Sequence, residues 1–552
     1  MRDFHFVTGG QVSSDLGPGL TLCRWLVLVA ALCGGALALW WLEYARAGIT
    51  ISPLMVGTTP ATVYRVAETG PVPVVVIAHG FAGSRQLMEG FALAVARAGY
   101  IAVSYDLMGH GRNPAPMSGD VTVIGGTTTL LMDELARVSD AALALPGADG
   151  RLALVGHSMA SDIVVRQAVR DSRVGAVVAV SMFSGAVTAV EPANLLVVAG
   201  AWESMLVAEA AKALQLAAPD ASLGQTVGDP AAGTGRRALL APSVEHVGVL
   251  YSRTTLTETR DWLNASFGRS GGTGTGVAGA ARAGTGIAGA GIAGAGVAGT
   301  GVAGTGGDFI PLRGGWIALL LTAVVALAWP LSGLLRRFRA GMPPVRLPVG
   351  RFLGAVLVPA LAAPLILWPL DTRFLPVLVA DYLALHFALF GVFALAMAAC
   401  FGGVRRVSMA ALWLVVPVAL YCEILFGGAL DRYVAAFWPT GGRVIVVAAM
   451  AIGAVPFMLA DAVLTEAGRA PLWRVLVVRG LALASLGLAV ALDFEGLFFL
   501  IIILPIILLF FLLFGTVGGW VGRATWRPEV AGVALGVFLA WALGVTFPMF
   551  AA

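Results

Sequence analysis

Apolar residues fall along this chain in three successive patterns. The first is one continuous run, residues 25–42 (WLVLVAALCGGALALWWL), with Arg24 before it and Trp40-Trp41 at its far end. Such a run is long enough to cross a hydrocarbon core of about 30 Å as a helix. It predicts a transmembrane anchor behind a short cytoplasmic segment, residues 1–24. Ala45-Arg46-Ala47 resembles a signal-peptidase site, but the run exceeds the roughly 7–15 residues of a signal core, which favours a retained anchor. Either outcome exports the chain beyond it.

Between residues 49 and 268 the pattern changes: apolar runs shorten to five or six residues and alternate with segments of helical period. Val72–Ala78, Tyr100–Tyr105, Leu152–Val155, Val174–Val180 and Leu195–Ala199 are rich in β-branched residues and read as buried strands. Each is followed by a turn and a helical segment, and that alternation predicts a mostly parallel sheet with helices on both faces. From Gly276 the chain repeats every five residues, GVAGA, ARAGT, GIAGA, GIAGA, GVAGT, GVAGT. Glycine at this density opposes helix and strand alike, so residues 270–307 read as a tether with a coil span of roughly 35 Å.

The third pattern, residues 314–552, is apolar throughout. Eight spans are expected, at 314–335, 352–370, 374–402, 408–428, 443–464, 472–492, 496–520 and 530–550, forming an all-α polytopic membrane domain. With the N-terminus inside, the inner segments hold Arg2, Arg24, Arg336, Arg337, Arg339, Arg346, Arg351, Arg405, Arg406, Arg469, Arg474, Arg479, Arg523 and Arg527. The short outer segments hold only Arg46, Arg313, Arg373, Arg432 and Arg443. The positive-inside rule therefore places residues 43–313 on the outer face. The weakest span is 472–492, which Arg479 interrupts.

Composition sharpens this reading. Apolar residues make up 58% of the chain and charged residues only 12%, about half the ordinary charged share, so part of the chain must use lipid as its solvent. The net charge of +4 is small and its arginines are clustered between apolar runs, which points to membrane orientation and away from nucleic acid. Lysine occurs once, at Lys212, amid abundant Ala, Gly and Arg, a usage that suggests a GC-rich bacterial genome. Cys23, Cys33, Cys400 and Cys422 all lie in apolar runs and form neither a disulfide framework nor a metal-ligand spacing.

The chemistry centres on Gly156-His157-Ser158-Met159-Ala160, between the strand at Leu152–Val155 and the helical run Ser161–Arg170. A serine on such a strand-to-helix turn projects above the sheet as a nucleophile. In a chain so rich in Gly and Ala the motif alone carries little weight, and its context decides. Val74–Ala78 runs into His79-Gly80-Phe81-Ala82-Gly83-Ser84, and here the sequence resembles the α/β-hydrolase superfamily. The resemblance covers roughly residues 60–267, including Gly99–Arg112 as the next strand and turn. It implies an α/β-hydrolase fold, with the backbone N–H groups of Phe81 and Met159 as oxyanion donors. It also implies a triad acid after the strand Asn194–Gly200, on Glu203, and a catalytic histidine at His246 in the loop after Ala238–Ala241. Asp229 is the rival acid, and a helix-terminal Glu203 interacting only with the helix dipole is the plainer alternative. Asp106 and His110 are expected to shape the fold. Ala160 stands where the strict motif has glycine, and the short segment Phe183–Pro192 leaves no room for a large cap.

The expected function is a serine hydrolase acting on an ester, thioester or amide, with no cofactor and no metal. Its partners would be a small-molecule or lipid-like acyl substrate and membrane lipid. The alternatives are an acyltransferase, or a transporter or scaffold whose hydrolase fold binds without turnover. Asp381, His386, Glu423 and Asp461 fall within the predicted spans. Structural pairing between helices and a transport path are the two readings open for them.

Overall fold

The computed structural model describes residues 18–67, 70–119, 124–269, 309–340, 342–404 and 409–551. The pentapeptide repeat at 270–307 and most of segment 1–24 lie outside the described residues.

Helix α1 (Pro18–Tyr44) leads into β1 (Ile49–Val56), β2 (Thr59–Val66) and β3 (Val72–Ala78), followed by α2 (Glu89–Arg97) and β4 (Ile101–Tyr105). Then come α3 (Thr129–Leu143), β5 (Ala148–His157), α4 (Met159–Arg170), β6 (Val174–Val180) and β7 (Leu195–Gly200). Helix α5 (Ser204–Gln215), β8 (Thr226–Val227), β9 (Arg236–Ala241) and α6 (Arg253–Ser266) complete the domain. One nine-stranded sheet runs β1-β2-β4-β3-β5-β6-β7-β9-β8. Its central pairings, from β4 through β9, are parallel, and β1, β2 and β8 join antiparallel at the edges.

Every residue of β3 is buried because its two faces serve two cores. Val74, Val76 and Ala78 join Leu135, Ile163 and Ala210 of α3, α4 and α5. Val75 and Ile77 join Phe91, Val95 and Leu263 of α2 and α6. A strand sandwiched this way reads as an unbroken apolar run, which is why the sequence betrays it. The hairpin β1–β2 turns at Gly57, where φ is +60°. Its outer strand is nowhere fully buried, so it left no comparable apolar run.

The second region comprises α7 (Gly314–Ser332), α8 (Val349–Leu367), α9 (Ala380–Cys400), α10 (Val415–Leu420), α11 (Gly428–Tyr433), α12 (Arg443–Leu464) and α13 (Leu472–Leu492). It ends with α14 (Phe494–Leu497), α15 (Leu500–Thr525) and α16 (Pro528–Thr546). Counting α1, nine helices among the described residues are long and apolar enough to cross a membrane. Two spans differ in form from expectation. The one placed at 374–402 begins at Ala380, which puts Asp381 in its first turn, accepting from the N–H groups of Phe374, Leu375 and Tyr382. The one placed at 408–428 reaches Tyr433 and changes pitch, with a π-helical stretch Tyr421–Gly427 between α10 and α11. Span 472–492 is intact as α13: Arg479 reaches Asp461 of α12 at 3.0 and 3.1 Å. Pairing satisfies both charges inside an apolar bundle.

Contacts between the two regions come from one end of the helices. Arg443 donates to Gly111 O (3.1 Å) and Gly109 O (2.7 Å), and Arg112 binds Asp431 at 2.7 Å. Met117 N–H donates to Met549 O and Met549 N–H to Gly109 O. Buried Glu89 of α2 binds Arg46, just after α1, and Arg313, just before α7.

Candidate active site

β5 ends at His157 and α4 starts at Met159, so Ser158 alone turns the chain, with φ +54° and ψ −120°. Positive φ is costly for a residue with a Cβ, and it persists where the surroundings over-determine it. Here Ser158 N–H donates to Val180 O of β6 at 2.9 Å, and Ser158 O accepts from Ser161 N–H at 2.8 Å. A Cβ on Gly156 would collide with the Ala160 carbonyl, and one on Gly80 would stand 2.9 Å from Ser158 Cβ. The turn therefore needs glycine at 156, and the loop after β3 lies directly against it. Ala160 is fully buried in the core, so the departure from the strict motif is accommodated.

His246 Nε2 lies 2.8 Å from Ser158 Oγ, and His246 Nδ1 lies 2.5 Å from Glu203 Oε1. The other Glu203 oxygen accepts from Gly200 N–H (2.5 Å) and Ser181 Oγ (2.8 Å). Glu203 is the residue before α5, yet its side chain makes no capping bond. It turns to His246 instead. Burial raises its pKa, but the hydrogen bonds from His246, Gly200 and Ser181 outweigh that and hold it below the usual glutamate value. Asp229 stays in its own loop, accepting from Ala231 N–H at 2.9 Å.

Two residues that sequence reasoning did not place brace this array. His157 Nε2 lies 3.0 Å from His246 O. Burial pushes the His157 pKa down to about 3, so the ring is neutral and its Nε2–H donates to that carbonyl. Ser181, at the end of β6 with φ +52°, supplies the hydroxyl to Glu203. Neither contact leaves a spacing signal, because one partner is a backbone oxygen and the other meets Glu203 across neighbouring strand ends.

Neither Phe81 N–H nor Met159 N–H has an acceptor among the described residues, so both amides are free to donate to a ligand. The Phe81 loop is held by His79, whose Nδ1 donates to Gly80 O (2.8 Å) while Nε2 accepts from Leu107 N–H (3.1 Å). Asp106 is fully buried and accepts from Arg85 N–H, the Arg85 guanidinium and Arg112 N–H at 2.8–3.1 Å. His110 packs edge-on to Phe81 with its Nδ1 on Met108 O. Asp106 and His110 thus tie loops together, and neither is hydrogen-bonded to Ser158 or His246.

In the helical region His386 lies 3.0 Å from Ser485 Oγ of α13. Glu423, in the π-helical stretch, is buried with neither carboxylate oxygen partnered among the described residues.

The family model described as serine aminopeptidase, S33, matches residues 69–234, a segment containing Ser158 and Glu203. No curated protein sequence gives a significant match. Among solved structures the chain is similar to an epoxide hydrolase from Vigna radiata, at 25% identity and TM-score 0.20 over 24% of this chain and 39% of that one. It is also similar to a bacterial membrane phospholipase A, at 14% identity and TM-score 0.29 over 45% of this chain and 97% of that one. The chain thus spans about two-fifths of the length of the epoxide hydrolase it matches. With a parallel sheet, a serine on the turn after β5 and the family match over residues 69–234, this chain carries a hydrolase domain of the α/β-hydrolase superfamily joined to a C-terminal region of long apolar helices.

Proposed function

We propose that the protein is a membrane-embedded serine hydrolase that cleaves an ester, thioester or amide through an acyl-enzyme on Ser158. The observation that carries this reading is the continuous hydrogen-bonded line Ser158 Oγ, His246 Nε2, His246 Nδ1, Glu203 Oε1. Ser158 Oγ attacks the substrate carbonyl carbon while its proton passes to His246 Nε2, and Glu203 holds Nδ1–H and stabilises the imidazolium. The oxyanion takes the N–H groups of Phe81 and Met159. Collapse breaks the bond to the leaving group, which receives the proton from His246. Water then repeats the sequence and releases the acid. The domain stands on the outer face of the membrane, a placement supported by the arginine asymmetry of the spans and by docking contacts confined to one end of the helices.

The test is turnover of esters of graded chain length by the detergent-purified full chain. Ser158→Ala should lose on the order of 10⁶ in kcat where chemistry limits turnover, because nucleophile and base act as a unit. Retention of about one-tenth of the rate or more would remove Ser158 from this role.

A further inference from the structure

The serine-hydrolase reading leaves the acyl group unnamed, and the seam between the two regions narrows it. Phe81, the residue whose N–H is assigned to the oxyanion, stacks its ring on Phe499 at 5.0 Å and 29°. Phe499 immediately precedes α15. A narrow apolar groove of about 40 Å³ lies among Phe81, Ala82, Phe499, Ile502, Ile506 and Phe547. Positions 499, 502 and 506 follow helical spacing and form one stripe of α15. Ile502 and Ile506 are also 50% and 45% exposed, on a helix whose composition suits a bilayer. One stripe thus reaches both the oxyanion loop and the surface that lipid would cover.

The rest of the mouth is apolar too. Phe183, Trp202 and Val247 stand exposed on the loops after β6, β7 and β9, and Met205 in the first turn of α5. Trp202 and Val247 are the immediate neighbours of Glu203 and His246. An exposed apolar rim with a tryptophan suits a membrane–water interface.

We propose that the acyl group cleaved at Ser158 is the long alkyl chain of a bilayer lipid, laid along the exposed α15 stripe past the narrow groove at the Phe81–Ala82 loop. This rests on the serine-hydrolase reading. The carbonyl lies at Ser158, the chain runs down the α15 stripe, and water releases the fatty acid and the deacylated lipid.

The test uses the full chain in nanodiscs of a diether phosphatidylcholine, which it cannot hydrolyse. The readout is the ratio of kcat/KM for p-nitrophenyl palmitate to that for p-nitrophenyl acetate. Wild type should favour the palmitate ester. Ile502→Trp and, separately, Ile506→Ser should lower the ratio by about tenfold, the worth of roughly two buried methylenes. Leu508→Trp, on the same helix but facing away from this stripe, should leave the ratio unchanged. A ratio unmoved by both groove variants, or lowered equally by Leu508→Trp, overturns the proposal. Faster turnover of leucine p-nitroanilide than of the palmitate ester also overturns it, by assigning the groove to a peptide side chain. Fluorophosphonate labelling of Ser158 is read on each sample. Its absence in wild type defeats the serine reading, whereas labelling without chain-length preference defeats the lipid assignment alone.

Discussion

At the residue scale, the proposed catalysis turns on which carboxylate orients His246. Glu203 touches the imidazole and is tied by Gly200 and Ser181, whereas Asp229 serves its own turn. Glu203→Gln should therefore lower kcat by about 10⁴, the scale of losing the group that fixes the histidine tautomer. Asp229→Asn should leave turnover little changed, and a reversed ranking in steady-state assays would move the acid to the later loop. Ser158, His246 and Glu203 were legible in the sequence because each comes after a recognisable strand in the right chain order. The roles of His157 and Ser181 were not, since they depend on where strand ends meet. His157 also sets a pH dependence. Its ordinary value of 6.5 falls to about 3 on folding through burial. Below pH 6.5 the unfolded chain takes up a proton that the folded chain refuses until about pH 3. Stability is thus full above pH 6.5 and declines as pH falls toward 3, by about 2 kcal/mol at pH 5. Buried His79 and His110 are lowered in the same sense. The thermal inactivation midpoint should drop between pH 7 and pH 5, and His157→Gln should flatten that slope. An unchanged slope in the variant would place the acid sensitivity elsewhere.

At the element scale the sequence was most readable where burial was most complete. Strands β3, β6 and β7 appear at or within one residue of their predicted limits because apolar packing on both faces leaves no polar interruption. The same logic failed for the edge strand β1, no residue of which is fully buried. It also could not foresee the pitch changes near Glu423, since hydropathy is blind to whether a turn closes at three, four or five residues. Arg479 made α13 the least certain span, and its partner Asp461 explains how the helix tolerates it. Removing one member leaves a buried charge unpaired. Arg479→Leu should therefore cost about 3–5 kcal/mol in detergent melting, and adding Asp461→Leu should recover much of the loss. A double variant as unstable as the single one would mean that the pair is not what fits α13 to α12.

At the scale of the whole molecule, the sequence suggested a hydrolase reaching out on a glycine-rich tether. The repeat itself lies outside the described residues, but the domain on one side of it is docked on the helices beyond. Arg443, Arg112 and Glu89 carry that docking through bonds to scattered loop positions, and no periodic pattern announces such contacts. One end of the bundle thus carries the enzyme, and the other carries Arg469 and Arg523. In a variant freed of native cysteines, Asp220→Cys should react with an impermeant maleimide in intact spheroplasts. Arg469→Cys should react only after permeabilisation, and the opposite pattern would turn the molecule over in the membrane. The central claim is an activated serine at position 158. Its most direct measurement is peptide mapping by mass spectrometry after treating the full chain with a fluorophosphonate. The expected result is one adduct, on Ser158, that forms in wild type and is lost in His246→Ala. An adduct on another serine, or one on Ser158 that forms equally fast without His246, would contradict that claim.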